Sequence, residues 1–274
     1  MSQTLNTDTI DSPPRDAATV VLLREAGPDS EEKSEFEVLL LCRGNSRTVM
    51  NNAWVFPGGK VDNNDYSTSQ LNKHSNAQLP QQLLAEPDLA TSDATALFNA
   101  ACRETQEETG VILSPEQLYP WSRWITPKDP ALMKKRFDAR FFLAEMPAEQ
   151  SATHDGVEAT DSVWLRPRSA LRAYYENQIT LAPPQIMTLA ALSRHLTIQS
   201  CLDYAAANEP HHVEPFVVKG ENQTRTLTYP GDTAHPSNHQ SMPGPTRLLW
   251  QNGRFEPPEG FESFFQTAIS AQNR

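Results

Sequence analysis

The sequence predicts a mixed α/β domain over residues 16–196, followed by a C-terminal extension over residues 197–274 that packs on it. Three observations predict this class: runs of β-branched and leucine side chains typical of strands, one long helix with an apolar stripe, and further strand-like and helical runs after that helix. A chain of 274 residues is long enough to bury a large hydrophobic core. Residues 1–15 are polar and are expected to form a flexible N-terminal arm.

The first elements form a strand pair and a glycine turn. Residues 17–23 and 36–42 are apolar runs separated by a turn-rich acidic connector, which predicts two strands joined by a hairpin-like loop. A third short apolar run, residues 54–56, ends abruptly at Pro57-Gly58-Gly59. Glycines at the end of a strand let the backbone approach a ligand closely.

The long helix is the strongest local signal. Ser92-Asp93 are expected to supply its N-cap, and Gly110 is a natural residue to follow its C-terminus. Between them, apolar and small side chains recur at i, i+3 and i+4, forming one core-facing stripe. Its members are Ala94, Leu97, Phe98, Ala101, Cys102, Thr105 and Thr109.

The segments around this helix complete the predicted order. Residues 66–92 are rich in Gln, Ser and Asn and are interpreted as an inserted surface excursion with a short helical piece. Strands are predicted at 121–125, 137–145, 158–165, 216–218, 226–229 and 247–250, and helices at 167–174 and 184–196.

Composition excludes several classes of protein. The sequence has no run of 18 apolar residues and no charged-then-apolar secretory signal, so a membrane protein or an exported one is not expected. Three widely spaced cysteines fit a reducing, cytoplasmic setting. The net charge of −11 and the absence of a basic stripe disfavour nucleic acid as a partner.

The helix also carries an acidic cluster. At about 100° per residue, Glu104, Glu107 and Glu108 fall within an arc of roughly 100° beside the apolar stripe. Such carboxylates repel one another, and hard divalent cations such as Mg²⁺ prefer oxygen ligands of this kind. The alternative is a solvated acidic helix face; against it, Glu108 lies at the edge of the stripe and a glycine turn lies upstream.

These residues resemble a known motif. The string GGKVDNND followed by AACRETQEETGV resembles the Nudix box, G-x5-E-x7-R-E-U-x-E-E-x-G-U, with Gly59 at its first position. Asp65 stands where the pattern has Glu, and Thr105 stands at the first apolar position. The segment 66–102 has 37 residues where the pattern has seven, an insertion of 30.

The split box is similar to that of the Nudix motif 19 branch, the peroxisomal coenzyme A diphosphohydrolases. Further segments resemble this branch in the same order: WSRWITP, RFDARFFL, VWLRPRSAL, ITLAPPQ and LTYPGD. The resemblance implies an α/β/α sandwich and Mg²⁺- or Mn²⁺-dependent hydrolysis of a small diphosphate substrate. The implied substrate is CoA or an acyl-CoA, giving 3′,5′-ADP and (acyl)phosphopantetheine.

The resemblance also implies roles for individual residues. Glu104, Glu107 and Glu108 are the expected metal ligands, with the carbonyl of Gly59 as a backbone ligand. Arg103 is expected to orient the glutamates, and Asp65 to pair with it. Nudix enzymes often recruit another carboxylate from a later segment as base or extra ligand; Asp155, Glu158 and Asp161 are available, and Glu158 is favoured. The alternative is an acidic turn before a strand. The predicted catalytic set is Arg103, Glu104, Glu107, Glu108 and Glu158.

Several alternatives stay open at this stage. The substrate could be ADP-ribose, NADH or a nucleotide sugar, or the chain could be a non-catalytic Nudix-fold ligand sensor, although sensors usually have eroded box glutamates. A homodimer is an open possibility. The aromatic side chains at 121, 124, 137, 141 and 142 could stack a base but are expected to fill the core, and the histidine pairs 211–212 and 235–239 are not expected to bind a metal.

Overall fold

A mixed β-sheet lies between helices on both of its faces in the computed structural model, which describes residues 9–27, 33–44, 52–66, 79–130, 135–219 and 225–266. The strands of this sheet are β1 (Arg15–Glu25), β2 (Phe36–Arg43), β3 (Ala53–Val55), β4 (Gly58–Lys60), β5 (Tyr119–Ile125), β6 (Phe137–Glu145), β7 (Ala159–Leu165), β8 (Thr180–Leu181) and β9 (His211–Val213). The helices are α1 (Pro80–Leu83), α2 (Thr91–Thr109), α3 (Pro167–Tyr175), α4 (Pro183–Leu192) and α5 (Ile198–Ala207). Short 3₁₀ turns cover Asn63–Tyr66, Pro115–Gln117 and Phe261–Phe265.

The strand order is β8-β3-β2-β1-β6-β5-β9, with β4 pairing to β1 and β7 pairing to β2. Strand β1 is central: it runs antiparallel to β2 and β4 and parallel to β6. The predicted pairing of the first two strands is therefore confirmed.

The two faces of β1 build two separate cores. Val20 and Leu22 pack with α2 in one cluster, whereas Val21 and Leu23 pack with α3, α4 and α5 in the other. Alternate residues of a strand point to opposite faces, so one buried run can serve both layers. The predicted α/β/α arrangement is confirmed.

Helix α2 differs from its prediction at one end. Its stripe is buried as expected except for Cys102, which is half-buried, and Gly110 ends the helix with φ +74°. The predicted N-cap at Ser92-Asp93 is wrong. Ala90 is the N-cap, and its carbonyl already accepts the Ala94 N–H at 3.0 Å, so Ser92 and Asp93 lie inside the first turn.

The end of the inserted segment packs on the sheet instead of projecting as a surface excursion. Its predicted helical piece is present as α1, and Leu84 is buried beneath it. Glu86 pairs with the almost fully buried Arg140 of β6 at 2.7 Å and with Arg123 of β5 at 2.9 Å. Residues 67–78 of the insertion lie outside the described residues, as do residues 1–8 of the predicted arm.

The chain after β8 was only partly predicted. Helix α4 ends at Leu192 and not at 196, because the chain turns at Ser193, and the next helix, α5, was not expected. A local signal for α5 exists: Thr197 Oγ1 accepts the Ser200 N–H at 3.1 Å, which is a capping interaction.

The C-terminal third forms a second, antiparallel sheet. Its strands are β10 (Phe216–Lys219), β11 (Arg225–Thr228), β12 (Arg247–Gln251) and β13 (Arg254–Glu256), in that order, and the first three confirm predicted strands. Leu227, Leu248 and Phe255 belong to the same buried cluster as α4, so this sheet shares the main core. Within the described ranges, no helix is long and apolar enough to cross a membrane.

Candidate active site

The glycine turn after β3 lies directly on the central strand. Gly58 has φ +155°, and a Cβ placed on it would be 2.4 Å from the carbonyl oxygen of Ala18. Only glycine fits so close an approach. The next residue, Gly59, pairs with Ala18 in the β1–β4 ladder. The turn is therefore fixed against the middle of the sheet.

Two glutamates of α2 face this turn. The Gly58 N–H donates to Glu108 Oε2 at 3.0 Å, although the two residues are 50 positions apart in sequence. A Cβ placed on Gly59 would lie 2.5 Å from Glu104 Oε1, so the Glu104 carboxylate occupies the space that a side chain would need. The predicted convergence of the helix and the glycine turn is thus present despite the long insertion between them.

Arg103 orders the acidic side chains around it. Its guanidinium makes two 2.8 Å hydrogen bonds to the Asp65 carboxylate, a bidentate pair. It also donates to Glu104 at 2.8 Å, to Glu107 at 3.0 Å and to the Lys60 carbonyl at 3.1 Å. The hydrogen bonds to Asp65 raise the pKa of Arg103 further above its usual range, against the opposing effect of burial. Asp65 stands where the Nudix box has a glutamate. Its side chain is one methylene shorter, yet its carboxylate still reaches Arg103.

The cluster has an unbalanced negative charge. Burial raises the pKa of Glu108 to about 7, the Gly58 N–H opposes this, and the charges of Glu104 and Glu158 add to it. Burial likewise raises the pKa of Glu104, with Arg103 opposing. Glu107 differs, because its side chain is 59% exposed. An added cation would stabilise the ionised forms of the two buried glutamates.

The donor set suits a hard divalent cation. Carboxylate and carbonyl oxygens are the ligands that Mg²⁺ and Mn²⁺ prefer, and the Glu104 and Glu108 carboxylates both lie against the backbone of the Gly58–Gly59 turn. In the part of the chain that the structure describes, no three His, Cys, Asp or Glu side chains converge tightly enough to form a complete ion site. Mg²⁺ usually retains several water ligands and substrate oxygens, so a two-glutamate site is compatible with it.

Glu158 lies at the edge of the same cluster. It is exposed, immediately before β7, and its charge raises the pKa values of both Glu104 and Glu108. Asp155 has another function, since its carboxylate accepts backbone N–H groups of the following residues. Asp161 is exposed within β7 and accepts the Ser162 N–H at 2.8 Å.

The other residues singled out by sequence have structural roles. Of the five aromatic side chains that could have stacked a base, four are buried in the core as expected: Trp121, Trp124, Phe141 and Phe142. His235 hydrogen-bonds the Glu214 carbonyl at 2.9 Å.

Sequence reasoning missed two contributors to this region. The Gly58 amide was not assigned a role, although the doubled glycine signals a position where a side chain cannot fit. Asp155 was considered as a base, an extra ligand or part of an acidic turn, but its hydrogen bonds to residues 157–159 were not predicted; the spacing Asp-Gly-x-x before a strand is the available signal for them.

An α/β/α sandwich that holds an Arg-Glu-x-x-Glu-Glu helix against a glycine turn defines a Nudix hydrolase, an enzyme of diphosphate hydrolysis. The family model described as the NUDT19 Nudix domain matches residues 14–119 and 115–192. The chain belongs to this family.

Relatives agree with this assignment. The chain is 24% identical to a Xenopus laevis protein named acyl-coenzyme A diphosphatase NUDT19, over 75% of this chain and 73% of the frog protein. It is 26% identical to a Caenorhabditis elegans protein named putative nudix hydrolase 7, over 79% of this chain and 75% of that protein. A crystal structure of a Nudix hydrolase from Alicyclobacillus acidocaldarius has the same fold, with a TM-score of 0.54 at 20% identity, covering 73% of this chain and 98% of that one.

Proposed function

We propose that this enzyme hydrolyses the diphosphate of CoA or an acyl-CoA, with Mg²⁺ or Mn²⁺, to give 3′,5′-ADP and (acyl)phosphopantetheine. The observation that carries the chemistry is the placement of Glu104 and Glu108 against Gly58-Gly59. The substrate class is supported by the printed names of relatives from Xenopus laevis and Gallus gallus, both acyl-coenzyme A diphosphatases.

In this proposal Glu104, Glu107, Glu108 and the Gly59 carbonyl would hold the divalent cation, which would supply charge neutralisation at the diphosphate and acidify a water molecule. Arg103 acts through the glutamates. Its Nε and Nη2 atoms donate to Asp65 and to the Lys60 carbonyl, and its Nη1 atom donates to Glu104 and Glu107 and so orients them. It is a positioning residue and does not need to contact the substrate.

Glu158 is proposed as the general base. A water oxygen attacks one phosphorus, the bond from that phosphorus to the bridging oxygen breaks, and the bridging oxygen leaves on the other phosphate. Glu158 accepts a proton from the attacking water, and its exposure at the edge of the cluster leaves it accessible to that water. Hydrolysis in ¹⁸O-labelled water, with both products weighed by mass spectrometry, shows which phosphorus is attacked.

A substrate comparison tests the proposal. Turnover is measured on CoA, an acyl-CoA, dephospho-CoA, ADP-ribose and NADH, each with Mg²⁺, with Mn²⁺ and with EDTA. An enzyme adapted to CoA recognises its 3′-phosphate, so kcat/KM falls about tenfold or more on dephospho-CoA, where a charged contact is lost. Equal turnover of both compounds, or a preference for ADP-ribose or NADH, contradicts the CoA assignment. Activity that survives in EDTA contradicts the metal assignment.

A homodimer remains an open possibility, and the cytoplasmic location remains a prediction. Sedimentation equilibrium of the full chain measures the first, and imaging of the tagged protein in its own cell measures the second.

A further inference from the structure

The segment that carries Glu158 is held by a single side chain. Asp155 Oδ1 accepts the N–H groups of Val157 at 3.1 Å, Glu158 at 3.1 Å and Ala159 at 2.9 Å, and Oδ2 lies 3.1 Å from the same Glu158 N–H. Burial alone would raise the pKa of Asp155, but these backbone N–H groups, that of Ala159 foremost, lower it overall. The acceptor is therefore charged at neutral pH, and charge-assisted hydrogen bonds of this kind are stronger than neutral ones.

The neighbouring strand holds the other side of this segment. The Gly44 N–H donates to the Glu158 carbonyl at 2.9 Å. Between Cys42 and Arg43 the β2–β7 register shifts, so that Cys42 pairs with Asp161 while Arg43 pairs with Ala159. One residue of β7, Thr160, is left over as a bulge, a feature that redirects side chains at the end of a strand.

The end of β2 packs closely against the start of β7 at Gly44. A Cβ placed on Gly44 would lie 3.0 Å from Thr160 Cγ2 and 3.5 Å from the Glu158 carbonyl oxygen. The backbone of Glu158 is thus fixed on one side by a carboxylate and on the other by the end of β2, even though its side chain is exposed.

We propose that Asp155 is a positioning residue that fixes the backbone of Glu158, so that the Glu158 carboxylate stays at the edge of the Glu104–Glu108 cluster. Asp155 does so through the N–H groups of residues 157–159 and without contacting the substrate. The inference rests on the proposed function, in which Glu158 is the general base.

A double-mutant cycle tests it. The variants are Asp155→Ala, Asp155→Asn, Glu158→Ala and the double variant Asp155→Ala/Glu158→Ala. Glu149→Ala, which removes an exposed acid from the same β6–β7 connection, is the control. Values of kcat and KM are measured for each variant on the most active substrate from the screen, together with the thermal midpoint.

Asp155→Ala is expected to lower kcat about tenfold or more with KM nearly unchanged, because a base displaced by about 1 Å loses efficiency. Asp155→Asn retains an Oδ1 acceptor for the three N–H groups but loses the negative charge and the Oδ2 contact, so its loss of kcat should be smaller than that of Asp155→Ala. In the Glu158→Ala background, removal of Asp155 should cause no further loss, since the group that it positions is already absent. Glu149→Ala should leave kcat unchanged.

The outcomes separate the two hypotheses. If Glu158→Ala keeps full activity, the proposed base is wrong. If Glu158→Ala is inactive but Asp155→Ala is fully active, only the positioning role is wrong. Additive losses in the double variant, or an Asp155→Asn variant as impaired as Asp155→Ala, would also overturn the positioning role.

Discussion

The Glu104 carboxylate lies against the Cα of Gly59, so closely that a Cβ on Gly59 would be 2.5 Å from Oε1 of Glu104 and 2.6 Å from Oε2. The two residues are brought together by β4 pairing with β1 and by α2 packing on the same strand. The absence of a side chain at position 59 is thus part of the geometry of the acidic cluster. It connects the first residue of the Nudix box with one of its glutamates.

Gly59→Ala should therefore displace the Glu104 carboxylate while the fold survives, because the clashing atoms are the end of a flexible side chain. We expect kcat to fall about 100-fold, the scale that a misplaced active-site group can cost. Kinetics and the thermal midpoint are measured together. Gly27→Ala is the matched control, since a Cβ at Gly27 meets no atom within 4 Å. An active Gly59→Ala enzyme would show that the position of Glu104 is not critical.

Asp65→Asn should destabilise the protein as well as weaken its activity. Asp65 is 3% exposed and holds Arg103 through both carboxylate oxygens, and an amide cannot accept both hydrogen bonds. Loss of a hydrogen bond to a charged group costs about 2 kcal/mol of unfolding free energy, and Arg103 keeps Glu104 and Glu107 as partners. Chemical denaturation measures the change. Asp62→Asn, which breaks the exposed pair with Lys60, should leave the denaturation midpoint nearly unchanged. Equal midpoints for the two variants would contradict this account of Asp65.

Glu108→Gln should abolish metal-dependent turnover without lowering the thermal midpoint. The glutamine keeps an oxygen acceptor for the Gly58 N–H, and a neutral group costs less to bury than a carboxylate. We expect kcat/KM to fall at least about 100-fold, the loss typical of a removed electrostatic contact at the reacting centre. Titration calorimetry with Mn²⁺ alone should show weakened binding. The exposed Glu107 provides the comparison, and Glu107→Gln should have a smaller effect. Unchanged hydrolysis by Glu108→Gln would refute the proposed metal site.

The contribution of His195 and His211 to protein stability should fall as the pH drops below about 6.5, because burial lowers the pKa values of both side chains. Glu108 contributes in the opposite direction over part of the same range, because burial raises its pKa to about 7. The folded-state pKa values of the two histidines lie below the unfolded value of 6.5, so between these limits the unfolded chain binds more protons. The contribution of the two histidines to the free energy of unfolding is fully present above pH 6.5. It is lost as the pH falls toward their folded-state pKa values. The slope of the thermal midpoint against pH, recorded from pH 8 to pH 5, measures the sum of these contributions.

His211→Gln should make the slope of thermal midpoint against pH less positive than in the parent protein. The exposed neighbour His212 supplies the control, since His212→Gln should leave the slope unaltered. His211 lies against Trp121, with ring centroids 5.4 Å apart, and interacts electrostatically with the half-buried His195. A slope that is the same in all three proteins would show that His211 does not contribute to it.

The sequence by itself determined the elements whose signal is local. The stripe of α2, the Gly110 terminus and the apolar runs of β1, β2 and β6 each follow from side chains a few positions apart, and their periodicity is that of the helix or strand they form. The motif residues around Arg103 were recognisable for the same reason, as they lie within about one and a half helical turns of each other.

Only the tertiary structure decided which distant segments meet. Strands β4 and β8 have three and two residues, too few for a periodic pattern, and they exist because β1 and β3 offer backbone groups to pair with. Glu86 meets Arg140 across 54 positions, and Glu108 meets Gly58 across 50. Such contacts depend on how the cores on the two faces of the sheet pack, and no local propensity encodes that. Their free energy is gained only when the whole α/β/α sandwich has formed.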